Sequence, residues 1–464
     1  MTGLPERLDM GKISLPIRDK DTAYVDTWLW LPKRHIPVDT LKGTFTIISQ
    51  NSYTGNDKTV VLWRDAPNHL GVPRAKVNPA KLPYPVVDLR PRTYRRIGAR
   101  SSLILDELYP EKDVQRQAYR KLQQSSGGIL NLSCGAGKSP VLLHAAAYWD
   151  RPMLIINDKP HILDQWRGEI ERFLRFDGGV GWVQGDPSTW KWEHPITLAT
   201  LKTLAMHRDA VSLEMIRHFG VIIWDEIHRL ASTEYCRTAD IFLGNRYGAT
   251  ATVERPDGLQ MVYLWHVGRP VYTNLEQEVT PKVVFLRSPT ELNIYSADCC
   301  DISGNVHLGK LRIAVAKQES EIRFVHKLVR EAVDRDREAL ILSFSKDQII
   351  ALHEEFDSGV LHAGITHKSR LSQLENNKIV FATNDLAKEA LNKKDLDSLV
   401  FLNEVTSSIT LTQAPGRIQR CNTDGTKKNA KVVVLWHVNV EPLYKMGFKM
   451  KRHFKEQGME VTVV

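Results

Sequence analysis

Cysteine is scarce and unpatterned in this 464-residue chain: Cys134, Cys236, Cys299, Cys300 and Cys421 form no CxxC pair. An odd set without paired spacing suggests neither a disulfide framework nor a structural zinc site, so reduced thiols are expected. Long apolar runs are also missing. No stretch approaches the roughly 20 apolar residues of a membrane helix, and the polar start MTGLPERLDMGK has no signal-peptide core. A soluble, cytoplasmic protein is the expectation. Low-complexity segments and short-period repeats are lacking too, and with 42% hydrophobic and 25% charged residues the composition excludes a disordered or fibrous chain. At this length two or three domains are expected.

Positive charge is present and unevenly placed. The net charge is +9, and residues 1–105 hold 17 Lys and Arg against nine Asp and Glu. Arg90, Arg92, Arg95, Arg96 and Arg100 cluster there around Tyr94. Such a cluster suits phosphate neutralisation, and a solvated basic face accounts for it equally well.

Those first residues read as a small, mainly β or α+β module, because TWLWLP, GTFTIIS and TVVLW are short β-rich runs separated by Pro, Gly, Asn and Asp. The Pro-rich passage from Val77 to Pro91 reads as a linker. Beyond Ser102 the pattern changes. PMLIIN, PITLAT and FGVIIWD are short apolar runs separated by helical patterns, as in a parallel sheet with crossover helices. In HILDQWRGEIERFL the residues Ile162, Leu163, Trp166, Ile170, Phe173 and Leu174 share one helical face, which is core. A second series follows from about Ala316, with EALILSFS, VLHAG, KIVFAT, SLVFLN and KVVVLWHV as strand candidates. Two α/β domains in tandem are indicated. The divisions expected are a basic N-terminal module at 1–105, a first α/β domain at 106–290 and a second at 291–464.

The segment GGILNLSCGAGKSPVLLHAAAYW joins a strand candidate, a glycine turn and a helix starting near Lys138. This is the layout of a phosphate loop. Gly135 and Gly137, with Cys134 and Ala136, allow a tight backbone that aims N–H groups at phosphate, Lys138 adds a positive charge, and the Ser139 hydroxyl can ligate Mg²⁺. Leu132 stands where the strict pattern wants glycine, so the match is to the shorter GxGK[ST] form. Further on, FGVIIWDEIH ends an apolar strand in Asp225 and Glu226, expected on opposite sides of that strand. Asp225 suits Mg²⁺, through water, and Glu226 suits polarising the water that attacks a γ-phosphate.

With DEIH following GAGKS the chain resembles a superfamily 2 helicase of the DExH kind. VQRQAYRKL resembles the adenine-reading glutamine motif, with Gln115 in its place. LIINDKPHILDQW resembles motif Ia, ITLATLKTLA the motif after it, with Thr200 matching, and GATATVERPDG motif III, with Thr250, Thr252 and Arg255. In the second half VLHAG resembles motif IVa, FATNDLAKEALN motif V, with Thr383, and QAPGRIQR motif VI, with Gln413, Arg417 and Arg420. The likeness covers about residues 106–435. It is nearest to the group of the phage UvsW helicase and the xeroderma pigmentosum B-like DNA motors, whose inter-domain link WHVGRPVYTNLEQEVTPKVVFL resembles. LPKR and GVPRA near the N-terminus resemble phage members, which would place the protein in a host cytoplasm.

The resemblance implies two RecA-like P-loop NTPase domains that use ATP and Mg²⁺ to act on single-stranded, forked or branched duplex DNA. It implies catalytic roles for Lys138, Asp225, Glu226, Gln413, Arg417 and Arg420, coupling through His228, Thr250 and Thr252, and backbone contacts to DNA through Thr200, Arg255 and Thr383. Ala390 and Asn392 depart from motif V, where glycine and aspartate are usual. A double-strand translocase, an RNA helicase and a non-catalytic DNA-binding scaffold stand as alternatives. The tail YKMGFKMKRHFK reads either as a stacking surface for single strands or as a basic amphipathic helix on the last domain.

Overall fold

The computed structural model describes residues 19–50, 57–102, 113–133, 136–255, 257–275, 280–387, 396–405, 411, 415, 418 and 430–464. The chain divides into two compact units, Met1–Leu132 with Ala136–Leu275, and Ser133–Gly135 with Glu276–Val464. Among the described residues no helix is long and apolar enough to cross a membrane.

The centre of the first unit is a seven-stranded sheet. Its order is Val180–Val183, Ile196–Thr200, Met153–Asn157, Val221–Asp225, Asn245–Thr250, Gly127–Leu132, Pro270–Asn274, and each neighbouring pair is parallel. Side chains alternate across a strand, so a sheet covered on both faces needs apolar residues at every position. Met153, Ile155, Val221 and Ile223 enter one apolar cluster while Leu154, Ile156, Ile222 and Trp224 enter the other. Helix Pro160–Phe173 buries Leu163, Trp166 and Ile170 against the first of these.

The N-terminal residues form a five-stranded mixed sheet, in the order Arg64–Asp65, His69–Val72, Leu29–Pro32, Ala23–Val25, Val86–Asp88, beside a hairpin of Thr46–Gln50 and Asp57–Val61. The passage read as a linker is therefore partly strand. Val86–Asp88 pairs in parallel with Ala23–Val25 at the sheet edge, the place where flanking prolines are tolerated. The module is fused to the first seven-stranded sheet. Leu29, Leu31, Phe45 and Val60 share one core cluster with Trp224 and Tyr263. Trp28 Nε1 donates to Asp240 Oδ2 at 3.0 Å, buried Arg246 donates to the Thr27 carbonyl at 3.0 Å, and Arg74 donates to the carbonyls of Asp26 and Leu243.

The second unit holds another seven-stranded sheet, ordered Gly359–Leu361, Ile379–Thr383, Ala339–Ser343, Ser398–Phe401, Lys431–Trp436, Lys282–Arg287, Val461–Val463, again with parallel neighbours. The segment read as the inter-domain link supplies a strand to each sheet, Pro270–Asn274 to the first and Lys282–Arg287 to the second. The division between the two compact units falls after Leu275, between these two strands. At the carboxyl ends of its strands lies a buried polar network. His437, 1% exposed, bonds Glu404 Oε1 through Nδ1 at 3.0 Å and Glu321 Oε1 through Nε2 at 3.1 Å, while Ser288 and Thr290 donate to Glu321 Oε2. Burial favours the neutral imidazole, but the two carboxylates outweigh it and hold His437 up at about 10. The tail forms the amphipathic helix Glu441–Glu456, with Leu443, Met446, Met450 and Phe454 buried.

Candidate nucleotide-binding site

Strand Gly127–Leu132 and helix Lys138–Trp149 flank the glycine turn expected to bind phosphate, of which Cys134 and Gly135 lie outside the described residues. Gly137 caps the helix at φ 83°, ψ 42°, the left-handed region that suits glycine. A Cβ there would stand 2.2 Å from Gln115 Nε2, so the glycine also makes room for the glutamine. Gln115, on helix Asp113–Gln123, donates Nε2 to the Ala136 carbonyl at 3.0 Å, and its Oε1 is buried without a hydrogen-bond partner. Lys138 Nζ donates to the Leu132 carbonyl at 3.1 Å, and Ser139 follows it half-buried in the first helical turn.

Strand Val221–Asp225 ends at the acidic pair. The two carboxylates do not share a strand as expected: Glu226 leaves it in a left-handed conformation, φ 49°, ψ 52°, and opens the short helix Ile227–Ala231. Such a conformation in a non-glycine residue costs energy and is held by its surroundings. Asp225 Oδ2 accepts from Trp166 Nε1 at 2.9 Å and Asn157 Nδ2 at 3.2 Å, and Oδ1 accepts from the Glu226 N–H at 3.0 Å. Burial, and then the charge of Glu226, raises the Asp225 carboxyl above its ordinary range despite these bonds and Lys138. Burial works the same way on Glu226, but His228, Lys138 and Arg229 outweigh it and leave that carboxyl lowered. The pair thus divides into a reluctant anion and a stable one, with Lys138 acting on both.

From Glu226 a chain of contacts leads away along the carboxyl ends of the strands. Buried His228 brings Nδ1 to 3.2 Å from Glu226 Oε2 and 3.3 Å from Thr250 Oγ1. Thr250 Oγ1 accepts from the Thr252 N–H and donates to the Thr252 carbonyl, both at 3.0 Å. Arg255 donates to the His228 carbonyl at 3.1 Å and forks onto Asp257. Lys138, Asp225, Glu226, His228, Thr250, Thr252 and Arg255 are thereby brought together in the first unit.

Other expected residues are placed differently. Thr200 is buried, and its hydroxyl caps helix Leu201–Met206, accepting from the Thr203 N–H at 3.2 Å. Thr383 ends strand Ile379–Thr383 in the second unit, half-buried. Gln413, Arg417 and Arg420, and Ala390 and Asn392, lie outside the described residues. In the arginine cluster Arg90 is paired to Asp88 and Arg96 to Asp150. Arg96 and Arg100 line an open groove of about 1030 Å³ at the opposite ends of the strands, interleaved with Asp150, Glu171 and Asp177. Sequence reasoning missed Asn157 and the polar duty of Trp166. The apolar stripe that placed Trp166 in the core gave no sign of its N–H partner.

Residues 108–255 match the family described as type III restriction enzyme, res subunit. A DNA 3'-5' translocase XPB2 of Sulfurisphaera tokodaii is 27% identical over 280 residues, 59% of this chain and 60% of that protein. The chain is thus similar to XPB-like helicases and translocases, and viral helicases are similar to it as well. A putative ATP-dependent RNA helicase L396 of Acanthamoeba polyphaga mimivirus is 23% identical over 75% of this chain and 67% of its own, and a probable helicase D10 of Escherichia phage T5 is 23% identical over 63% and 64%. The chain spans about 60% of the length of the Sulfurisphaera relative. The two parallel seven-stranded sheets fit two RecA-like domains.

Proposed function

We propose that the chain is an ATP-hydrolysing motor that unwinds or branch-migrates DNA in recombination, replication or repair. The observation that carries this reading is the convergence of Lys138, Asp225 and Glu226 at the carboxyl ends of the first sheet, with the charge of Lys138 acting on both acids. Phosphoryl transfer asks a protein mainly to position groups and neutralise charge. Lys138 holds the outer phosphates, and the lowered Glu226 accepts hydrogen from the attacking water. The unpartnered Gln115 Oε1 is an acceptor suited to the amino group of adenine. Ser139 and Asp225 offer the hard oxygen donors that suit Mg²⁺, a cation that keeps most of its water and takes one or two carboxylates. Bound with ATP, Mg²⁺ supplies charge neutralisation at the phosphates.

For Gln413, Arg417 and Arg420 the roles in this reading are those the resemblance to motif VI implies, the arginines acting on the γ-phosphate. The path from Glu226 through His228, Thr250 and Thr252 to Arg255 carries the nucleotide state toward the polymer, which Arg255 and Thr383 touch at phosphates and Thr200 supports by fixing a helix start. DNA is the assigned polymer because the Sulfurisphaera relative is named a DNA translocase. The mimiviral relative's name makes RNA the comparison to measure. The test is steady-state ATP hydrolysis with no polymer, single-stranded DNA, duplex DNA, a four-way junction and RNA, for the native protein and Glu226→Gln. DNA should stimulate strongly, and the variant should lose at least about a hundredfold in kcat; equal turnover in the two proteins would overturn the site. Duplex stimulation without strand separation would turn the reading to a double-strand translocase.

A further inference from the structure

Glu226 holds a backbone conformation, φ 49° and ψ 52°, that a glutamate keeps only when its surroundings enforce it. The neighbouring strand supplies the enforcement. Met153–Asn157 and Val221–Asp225 run parallel with Ile156 opposite Trp224, so Asn157 and Asp225 end their strands side by side. Because side chains alternate, both continue the face of Met153, Ile155, Val221 and Ile223, which helix Pro160–Phe173 covers. Asn157 is buried there, where an amide needs hydrogen-bond partners.

Those partners surround the turn. Asn157 Nδ2 donates to Asp225 Oδ2 at 3.2 Å and lies 3.5 Å from the Asp225 carbonyl oxygen, while Oδ1 accepts the Lys159 N–H at 2.9 Å. The Asp225 carbonyl and the Glu226 N–H belong to one peptide plane, and that N–H is held by Asp225 Oδ1 at 3.0 Å. Both edges of the plane are therefore tied, one to Asn157 directly and the other through the carboxylate that Asn157 and Trp166 grip. Rotating this plane changes φ of Glu226, and with it the direction of the glutamate side chain. Asp158 acts at the far end: its Oδ2 is 3.5 Å from Arg229 Nε, and the Arg229 N–H donates to the Glu226 carbonyl at 2.9 Å. Asn157 and Asp158 thus brace the turn from Asp225 to Arg229 at its two ends.

We infer that Asn157 is a positioning residue for hydrolysis: by fixing the Asp225–Glu226 peptide it aims the Glu226 carboxylate, and Asp158 braces the same turn through Arg229. This rests on the reading of Glu226 as the group that polarises the attacking water, and gives a role to two side chains that the helicase resemblance left without one. The test is a double-mutant cycle in the full chain, following ATP turnover in the native protein, Asn157→Ala, Asn157→Ser, Glu226→Gln and the two double variants. Ser keeps an oxygen for the Lys159 N–H but is too short to reach Asp225, so it preserves the local turn where Ala does not. Both changes should lower kcat about tenfold in the native background, while affinity for a non-hydrolysable ATP analogue with Mg²⁺ stays within about threefold. In the Glu226→Gln background each should cost less than about twofold, since no carboxylate remains to be aimed. Equal losses in the two backgrounds, or a loss in Ala that Ser restores, would assign Asn157 to the fold alone and overturn the inference. Native kcat in both Asn157 variants beside an impaired Glu226→Gln would overturn it and leave the site reading standing. Equal turnover by the native chain and Glu226→Gln would overturn both.

Discussion

Trp166 packs in the core of the first unit and also spends its single N–H on Asp225. Trp166→Phe keeps most of the packing and removes a bond that lowers the Asp225 carboxyl. That carboxyl should rise further, so the acid limb of the kcat/KM profile for ATP should move to higher pH, with kcat reduced; an unmoved limb would detach Trp166 from the chemistry. His437 offers a second titration. Its folded value of about 10 lies above the ordinary 6.5, so its contribution is fully present below 6.5 and lost as pH rises through about 10. The thermal midpoint advantage of the native chain over His437→Gln should therefore be largest near neutrality and shrink by pH 10. At this scale the sequence reveals groups whose spacing the chemistry demands: Lys138 and Ser139 after a glycine turn, Asp225 and Glu226 after an apolar strand. It conceals Asn157, Trp166 and the Glu321–His437–Glu404 set, because their partners are joined only by strand order.

Elements were legible where an apolar run was long enough to be covered on both faces. FGVIIWD, EALILSFS and KVVVLWHV carry such runs, and each is a strand in the middle of a sheet or next to it. Val86–Asp88 and Val461–Val463 are three-residue edge strands whose existence depends on a neighbour's free edge, and Pro270–Asn274 begins with a proline. The tail helix shows the same dependence in reverse. Gly447 sits inside Glu441–Glu456, where alanine is ordinarily better by roughly 0.5–1 kcal/mol. A Cβ at that position would stand 2.2 Å from Cδ1 and Nε1 of Trp436, a ring stacked on Tyr444 and bonded to its carbonyl. Gly447→Ala should therefore destabilise the second unit by about 1–3 kcal/mol, the range of overpacked cores. Chemical denaturation checks the sign, which propensity alone would reverse.

Across the whole molecule, the N-terminal module is a structural part of the first unit. Its Leu29, Leu31 and Phe45 lie in the core cluster that includes Trp224, and Arg246 is bonded to Thr27. A chain truncated to begin at residue 93 would expose that apolar surface and leave Arg246 and Asp240 without several partners. It should have a lower thermal midpoint and a strong tendency to aggregate, measured by calorimetry and light scattering. A linker-tethered module would leave both unchanged. The shared core also sets an order of events during synthesis. Trp28 is made early, yet its partners Asp240 and His266 arrive only after most of the first unit has been translated. At ribosomal speeds of 5–20 residues per second the early strands wait roughly 10 to 40 s for the surface that completes them. During that interval the nascent chain presents an unfinished apolar face, and chaperone capture of that face would be a normal stage of the protein's production.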